Sequence, residues 1–175
     1  VNVIIPGKKD NGIWYPLQNQ DLALMNVSTK NFFEQMQNIL GKSLQKWWED
    51  KINFRRKLEQ QKLKEGNWLI LSNAGGKNPC AAYMFLDNMN VSKLIIDQTL
   101  YWYLVDSEDE AKYIVGILNS SSVAKAIIDF QPQGEFSQRH IHTLPYKIIP
   151  RYDFNNPAHR DIVSKTEALI AECTM

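Results

Sequence analysis

The stretch from Gln131 to His142, QPQGEFSQRHIH, concentrates amide, guanidinium and imidazole side chains around one glycine. Glutamine forms two hydrogen bonds with adenine at N6 and N7, and arginine does the same with guanine at O6 and N7. Histidine can donate or accept a hydrogen bond at a base edge, so the whole set suits the major groove of DNA. The side chains that we predict to contact bases or adjacent phosphates are Gln133, Gln138, Arg139, His140 and His142.

A second polar stretch lies at Asn73–Pro79, between two apolar runs. Its Ala74-Gly75-Gly76-Lys77-Asn78 segment lacks the first glycine and the hydroxyl residue of a nucleotide-binding phosphate loop. A hairpin turn is the simpler interpretation, because glycine adopts positive φ without a steric cost. A DNA-binding role stays open beside it, in which Asn73, Lys77 and Asn78 approach a phosphate or a base.

Positive charge is concentrated between Gly41 and Gly66, where eight basic residues oppose four acidic ones. This segment therefore carries a net +4 in a chain whose total is +1. The balanced total argues against an indiscriminate polyanion binder, since non-specific affinity for nucleic acid comes from neutralised phosphates. A solvated helix face is the ordinary explanation of such a run. Together with the polar loop, it instead predicts that Lys51, Arg55, Arg56 and Lys77 hold the DNA backbone.

The histidines also permit a metal-site interpretation, which their surroundings weaken. His140 and His142 alternate on an extended segment and would share one face, and His159 could complete a three-histidine zinc site. No carboxylate or cysteine lies at ligand spacing, so polar loop contacts are the preferred interpretation. We therefore predict no metal site.

No pattern of residues predicts catalysis in this chain. The nucleophile elbow GxSxG is absent, and neither Cys80 nor Cys173 has a recognisable histidine partner. The acidic run from Asp106 to Glu110 is explained by helix capping, because negative charge is favourable at a helix N-terminus. The predicted set of catalytic residues is therefore empty.

Length and composition predict a globular protein. At 175 residues and 44% hydrophobic, the chain is long enough to bury one core. Its two cysteines lack CxxC spacing, which argues against a disulfide framework and a zinc knuckle. No apolar run approaches the roughly 20 residues that span a bilayer. We expect a cytoplasmic protein with no membrane partner.

Apolar periodicity and turn residues predict an α+β fold, a twisted and mostly antiparallel sheet with a helical hairpin and flanking helices. Residues 1–66 would hold N-terminal strands and the basic helical segment, and residues 67–175 the core, within one compact domain. The predicted strands are Val1–Ile5, Ile13–Tyr15 after a turn over Lys8–Gly12, Asn67–Ser72, Cys80–Leu86, Lys93–Asp97, Leu100–Val105 and Leu144–Ile149. The predicted helices are Asn26–Leu40, a basic helix or helix pair over Ser43–Lys64, Ala111–Asn119 after a Ser107/Glu110 capping box, Val123–Phe130, and one that begins at Asn156-Pro157.

Five motifs in the C-terminal half resemble those of a known family. They are the D-x-T-L-Y-W strand (Asp97–Trp102), the E-A-x-Y helix (Glu110–Tyr113), the L-N-S corner (Leu118–Ser120), the Q-P-x-G…R-H-I-H loop (Gln131–His142), and the N-N-P-A-H helix start (Asn155–His159). In order and spacing they resemble the target-recognition domain, the TaqI-like specificity domain, at the C-terminus of bacterial restriction-modification DNA adenine-N6 methyltransferases and fused restriction-methylation enzymes. The resemblance is looser over residues 58–83 and hardly extends to the first forty.

The resemblance implies a domain that reads a short sequence in double-stranded DNA and positions it for a catalytic domain upstream in the same polypeptide. The parent enzyme would use S-adenosylmethionine, with or without an endonuclease activity. This chain lacks the family's Asn/Asp-Pro-Pro-Tyr/Phe motif and glycine-rich cofactor loop, so we expect it to hold no cofactor and to be catalytically silent alone. Its start at Val1 fits a C-terminal fragment of such an enzyme.

Two other functions stay open. A protein-interaction module would dock a partner subunit on its aromatic and apolar surface, and a metal-dependent nuclease would use the histidines. Salt separates the first from DNA reading, because DNA binding weakens steeply as salt rises and apolar docking does not.

Overall fold

The computed structural model describes residues 5–10, 13–53, 58–74, 80–97, 99–128, 133–134, 137–138 and 149–173. The chain divides into two compact units, an N-terminal unit of Val1–Leu63 with Ser92–Ile95 and a C-terminal unit of Lys64–Val91 with Ile96–Met175. Helices are combined with small antiparallel sheets, which confirms the α+β class. No described helix is long and apolar enough to cross a lipid bilayer.

The N-terminal unit begins with a hairpin and continues with short helices. Strands β1 (Gly7–Asp10) and β2 (Ile13–Pro16) pair antiparallel. The turn predicted over Lys8–Gly12 is wrong for Lys8–Asp10, because ladder pairing with β2 outweighs the local turn preference of these residues. Asn11 and Gly12 lie outside the described residues, and so does the strand predicted at Val1–Ile5 except for Ile5, which is coil.

The helices of this unit are α1 (Asn19–Ala23), α2 (Val27–Leu40), α3 (Leu44–Trp47) and a π-helix (Trp48–Ile52) that continues α3. Helix α2 confirms the predicted helix over Asn26–Leu40. Ser28 and Thr29, whose hydroxyls favour an N-cap, lie inside the helix instead, and the N-cap is Asn26, whose side chain accepts the Thr29 N–H at 2.9 Å. Gly41 ends it at φ 62°, a left-handed conformation that glycine adopts readily. The core of the unit consists of Leu17, Leu22, Phe33 and Leu44.

The basic helix or helix pair predicted over Ser43–Lys64 is confirmed for Leu44–Ile52 and wrong for residues 58–64, because the helix ends at Asn53. The buried Asn53 amide accepts the backbone N–H groups of Leu58 and Glu59 at 3.1 and 3.2 Å, and it donates to the Glu59 carboxylate. A side chain that bonds to nearby backbone groups offers the chain an alternative to the helical ladder. Residues 58–66 are consequently turns and coil.

The C-terminal unit is a three-stranded antiparallel sheet with helices packed on it. Strand β3 (Trp68–Asn73) is central, between β4 (Ala81–Phe85) and β5 (Leu100–Val105). The predicted hairpin, β3 with β4, and the predicted strand at Leu100–Val105 are confirmed. The remaining helices are α4 (Asn88–Lys93), α5 (Glu108–Leu118), α6 (Ser121–Ile128) and α7 (Pro157–Cys173). Two short strands, β6 (Gln133–Gly134) and β7 (Ser137–Gln138), pair with each other.

The core of this unit lies between the sheet, α5 and α7. Ile70, Ala81 and Val105 come from the sheet, Ala111, Ile114, Val115 and Leu118 from α5, and Val163 from α7. Helices α5 and α7 approach closely at Gly116, because a Cβ at that position would overlap the Thr166 hydroxyl. Helix α7 is therefore fixed against α5 by packing.

Local capping signals were predicted with mixed success. Ser107 accepts the Glu110 N–H at 3.2 Å, whereas the described residues do not form the reciprocal bond from the Ser107 N–H to the Glu110 carboxylate. Burial, followed by the neighbouring Asp106, raises the pKa of Glu110. At α7 the prediction is confirmed, since Asn156 accepts the Ala158 N–H at 3.0 Å and Pro157 is the first helical residue.

The strand predicted at Lys93–Asp97 is wrong, because Lys93 ends α4 and the following residues are coil. Asp87 starts α4 by accepting the Asn90 N–H at 2.8 Å. An aspartate three residues before an asparagine N–H is a recognisable helix-start signal that the strand assignment overlooked. The predicted strand at Leu144–Ile149 falls, except for Ile149, outside the described residues.

Candidate nucleic-acid interface

The predicted reading loop, Gln131–His142, is described only at its two short strands. Gln133 and Gln138 are opposed across the ladder of β6 and β7. Arg139, His140 and His142 lie outside the described residues. The backbone thus brings two of the five predicted reading positions together in one small hairpin.

The Asn73 turn is closed by bonds between its two ends. The Asn73 N–H donates to the Cys80 carbonyl at 3.1 Å, and the Cys80 N–H donates to the Asn73 side-chain oxygen at 2.7 Å. The Ala74 N–H donates to the Thr99 carbonyl at 2.8 Å, which ties the turn to the start of β5. Asn73 therefore holds the hairpin in shape, while Lys77 and Asn78 lie outside the described residues.

The basic segment presents less free charge than its composition indicates. Asp50 accepts a hydrogen bond from Lys42 at 2.8 Å and lies 3.7 Å from the Lys46 ammonium. The hydrogen bond from Lys42 lowers the pKa of Asp50, against the opposing effect of burial. Lys51 is exposed and forms no ion pair with another described residue, whereas Arg55 and Arg56 are outside the described part. Among the four residues predicted to hold the DNA backbone, the structure thus describes the surroundings of Lys51 alone.

The motif residues of the C-terminal unit form hydrogen bonds with the backbone around them. The Asp97 carboxylate accepts the Thr99 N–H at 2.9 Å and the Thr99 hydroxyl at 2.6 Å, which makes the turn before β5. Asn119 bonds twice to Ala81 on the edge of β4, accepting its N–H at 2.7 Å and donating to its carbonyl at 2.9 Å. Asn119 therefore ties the end of α5 to the sheet edge just before α6.

A cluster of rings holds the segment that follows the loop. The cluster consists of Tyr113 on α5, Tyr152 before α7 and His159 on α7. The ring centroids of Tyr113 and His159 are 4.6 Å apart, and those of the two tyrosines are 5.4 Å apart. The Asp153 N–H donates to His159 Nδ1 at 3.0 Å, and His159 Nε2 lies 3.4 Å from the Tyr113 hydroxyl. Tyr152 donates to the Asp109 carboxylate at 3.5 Å. Both nitrogens of His159 thus have protein partners.

These rings lie in an environment that disfavours charge. Burial raises the pKa of the Tyr113 phenol, and burial followed by the Asp109 carboxylate raises that of Tyr152. Both phenols are accordingly neutral at physiological pH, where a tyrosine hydroxyl donates and accepts hydrogen bonds. Among the described residues, no group of three His, Cys, Asp or Glu side chains could hold a metal ion.

Lys112 forms two ion pairs that were not predicted from the sequence. Its side chain is 10% exposed and pairs with Glu108 at 3.2 Å and Glu167 at 3.0 Å, which links α5 to α7. Burial alone would lower its pKa, but the hydrogen bonds with Glu167 and Glu108 raise it well above the usual lysine value. The i,i+4 spacing of Glu108 and Lys112 predicts the ion pair within α5, whereas no sequence pattern predicts the contact of Lys112 with Glu167.

No protein-family model and no curated protein sequence matches the chain. The case for a function accordingly depends on its residues and their geometry. The D-x-T, E-A-x-Y, L-N-S and N-N-P-A-H motifs all contribute to the C-terminal unit, through the Asp97 turn, the Asn119 bonds and the ring cluster. We call these three contacts the motif frame.

Proposed function

We propose that this chain is the target-recognition domain of a DNA adenine-N6 methyltransferase. In this proposal the Gln131–His142 loop reads a short sequence in double-stranded DNA and presents it to an upstream catalytic domain that binds S-adenosylmethionine. Gln133, Gln138, Arg139, His140 and His142 contact bases or adjacent phosphates. Lys51, Arg55, Arg56, Lys77, Asn73 and Asn78 contact the backbone or neighbouring bases.

The observation that supports the proposal most is the position of the motif frame along the chain. Asn119 precedes the loop by a single helix, and Tyr152 and His159 follow it. Both sides bond to fixed elements of the same unit, the β4 edge and α5. Fixed ends reduce the number of conformations that a connecting segment can adopt, which in general lowers the entropic cost of binding.

Selection of DNA from a random pool tests the proposal directly. The chain is incubated with duplexes that contain a randomised segment at about 0.1 M salt, and the bound fraction is sequenced. Enrichment of one short motif is expected, with affinity that falls steeply as salt rises because counterions are released. Absence of an enriched motif, together with salt-independent or undetectable binding, would contradict DNA reading.

Arg139→Ala tests the most specific residue assignment. Loss of a two-bond guanine contact should cost about 1–3 kcal/mol of discrimination at one base pair and relax the selected motif there. Gln35→Ala, on the exposed surface of α2, is the matched control and should leave the motif unchanged. An unchanged motif in Arg139→Ala would remove this residue from the reading set.

A protein-interaction module is the second candidate, and a surface on α2 favours it. Phe32 and Ile39 are seven residues apart, on one side of the helix, and are 45% and 83% exposed. Apolar side chains at this spacing can form a seam with a partner helix. Association that survives 1 M salt and is lost in Ile39→Glu would support docking in place of DNA reading.

A further inference from the structure

The segment that leaves the reading loop is held by His159 through a bond that constrains its protonation. The backbone N–H of Asp153 can only donate, so Nδ1 of His159 must accept with its lone pair. In a neutral imidazole the proton then resides on Nε2, the nitrogen that faces the Tyr113 hydroxyl. The observed contacts therefore require the neutral ring with its proton on Nε2.

Protonation of that ring removes the acceptor. An imidazolium carries a proton on both nitrogens, so Nδ1 would confront the Asp153 N–H donor to donor. The Asp153 N–H would need another partner, and residues 152–156 would lose one of their bonds to α7, while the Arg160 bond to the Phe154 carbonyl and the Asn156 cap remain.

The groups around the ring come from three elements. Helix α5 contributes Tyr113 and, through Tyr152, the Asp109 carboxylate. The segment before α7 contributes Tyr152 and Asp153, whose carboxylate accepts the Asn155 N–H at 2.9 Å. On α7 itself, the Arg160 guanidinium donates to the Phe154 carbonyl at 2.6 Å. In the structure the Asp109 carboxylate accepts from Tyr152 and the Asp153 carboxylate from the Asn155 N–H, and the Asp153 N–H is bonded to the ring instead.

We propose that Tyr113 and His159 are positioning residues for DNA reading, which they support only while the His159 imidazole is neutral. They fix residues 149–156, the segment that follows the reading loop in the chain, by stacking with Tyr152 and by the bond to Asp153. Protonation removes the Asp153 bond and so loosens that segment, which weakens discrimination between sequences. This role rests on the proposed function of the loop.

The first test needs no DNA. Nitrogen chemical shifts of His159 and hydrogen exchange at the Asp153 amide are followed by NMR between about pH 7.5 and pH 5.5, the range in which histidines titrate. We expect the Nε2-protonated form and a protected Asp153 amide at the upper pH. Protection, corrected for the intrinsic pH dependence of exchange, should fall roughly five- to tenfold on acidification, the loss of about one hydrogen bond. Constant protection, or a proton on Nδ1 at the upper pH, would overturn the proposal.

The second test measures discrimination, the ratio of affinities for the selected duplex and a scrambled one. The reading loop contains two further histidines, His140 and His142, so the decisive variant is His159→Asn, whose uncharged side chain has an oxygen that can accept the Asp153 N–H. We expect the wild-type ratio to fall roughly five- to tenfold more on acidification than that of His159→Asn. Equal pH profiles would overturn the proposal.

Two further variants separate positioning from general stability. Tyr113→Phe removes the partner of Nε2 and should lower discrimination at both pH values. Glu167→Gln weakens the other link between α5 and α7 without touching the ring cluster, and it should leave the pH profile of the ratio as in the wild type. If the wild type discriminates at no pH, the proposed function fails, while the NMR result independently decides whether His159 fixes the segment.

Discussion

Asn119 in the C-terminal unit and Lys42 in the N-terminal unit both lie at the surface, but their side chains bond to different kinds of partner. Asn119 bonds to two backbone atoms of Ala81, which cannot rotate away. Lys42 bonds to the Asp50 side chain, in a pair whose members are 44% and 30% exposed. The first contact determines the shape of the chain, and the second mainly determines how much charge the surface presents.

Polar residues of this chain thus differ in whether they shape the backbone or only set the surface charge. A net +4 over Gly41–Gly66 indicates phosphate binding, yet two of its lysines share one carboxylate. The motif residues carry less charge, and several of their hydrogen bonds join backbone groups. We therefore expect changes in the motif frame to alter stability, and changes in the basic segment to alter affinity for DNA.

The largest effect is expected from Asn119→Ala. It leaves the Ala81 N–H and carbonyl without partners on the β4 edge, which should lower the free energy of unfolding by about 2–3 kcal/mol. Urea denaturation followed by tryptophan fluorescence measures the loss. Asn38→Ala, an exposed asparagine near the end of α2, is the control and should cost little. Equal urea midpoints for the two variants would show that the Asn119 bonds to Ala81 contribute nothing to stability.

Lys112→Met should lower the free energy of unfolding less, by about 1 kcal/mol, since the glutamates left behind are exposed and remain hydrated. The raised pKa of Lys112 determines the pH dependence. A lysine whose pKa is higher in the folded state contributes its full stabilisation below its unfolded value, about 10.4, and loses it as pH rises through the folded value. In urea denaturation, the difference in free energy of unfolding between wild type and Lys112→Met should thus be constant from pH 6 to about 9.5 and should narrow above that. Lys125→Met, exposed on α6, should show neither effect.

The elements that depended on local signals were predictable from the sequence. Helix α2 has apolar residues at helical spacing and Gly41 at its end, and α7 has Asn156 and Pro157 at its start. Strands β3, β4 and β5 are short apolar runs bounded by turn residues, and the prediction placed each of them. In these segments local preference and tertiary packing agree.

The elements that depended on one polar side chain were not predictable. Asn53 stops the basic helix by bonding to Leu58 and Glu59, a choice that apolar periodicity does not reveal. The Asn119 bonds to Ala81 and the contact of Tyr113 with His159 join residues far apart in the chain. The motif residues could be recognised as a set from the sequence, but their partners required the fold. The base contacts of the reading loop stay predictions.

Lys51→Gln tests whether the basic segment contacts DNA at all. Removal of one phosphate contact should weaken binding about two- to fivefold at 0.1 M salt, equally for selected and scrambled duplexes, and reduce the salt slope by about 1. Fluorescence anisotropy over a salt series measures both quantities. Lys30→Gln is the control, because that lysine is paired with Glu34 on α2. An identical slope in wild type and Lys51→Gln would remove Lys51 from the interface.

Asp50→Asn should give the smallest effect and the opposite sign. Without the carboxylate, Lys42 and Lys46 are free to approach phosphates, so affinity for any duplex should rise about twofold while the unfolding midpoint stays unchanged. The pKa of Asp50 is lowered, so its carboxylate is ionised above the ordinary aspartate value of about 3.9, and its contribution is lost only as pH falls through the lower folded value. The difference in affinity should therefore be the same at pH 5 and pH 8. Glu34→Gln, which frees Lys30 instead, distinguishes a local effect from a change in total charge, because an equal gain in both variants would mean that the position of the lysines does not matter.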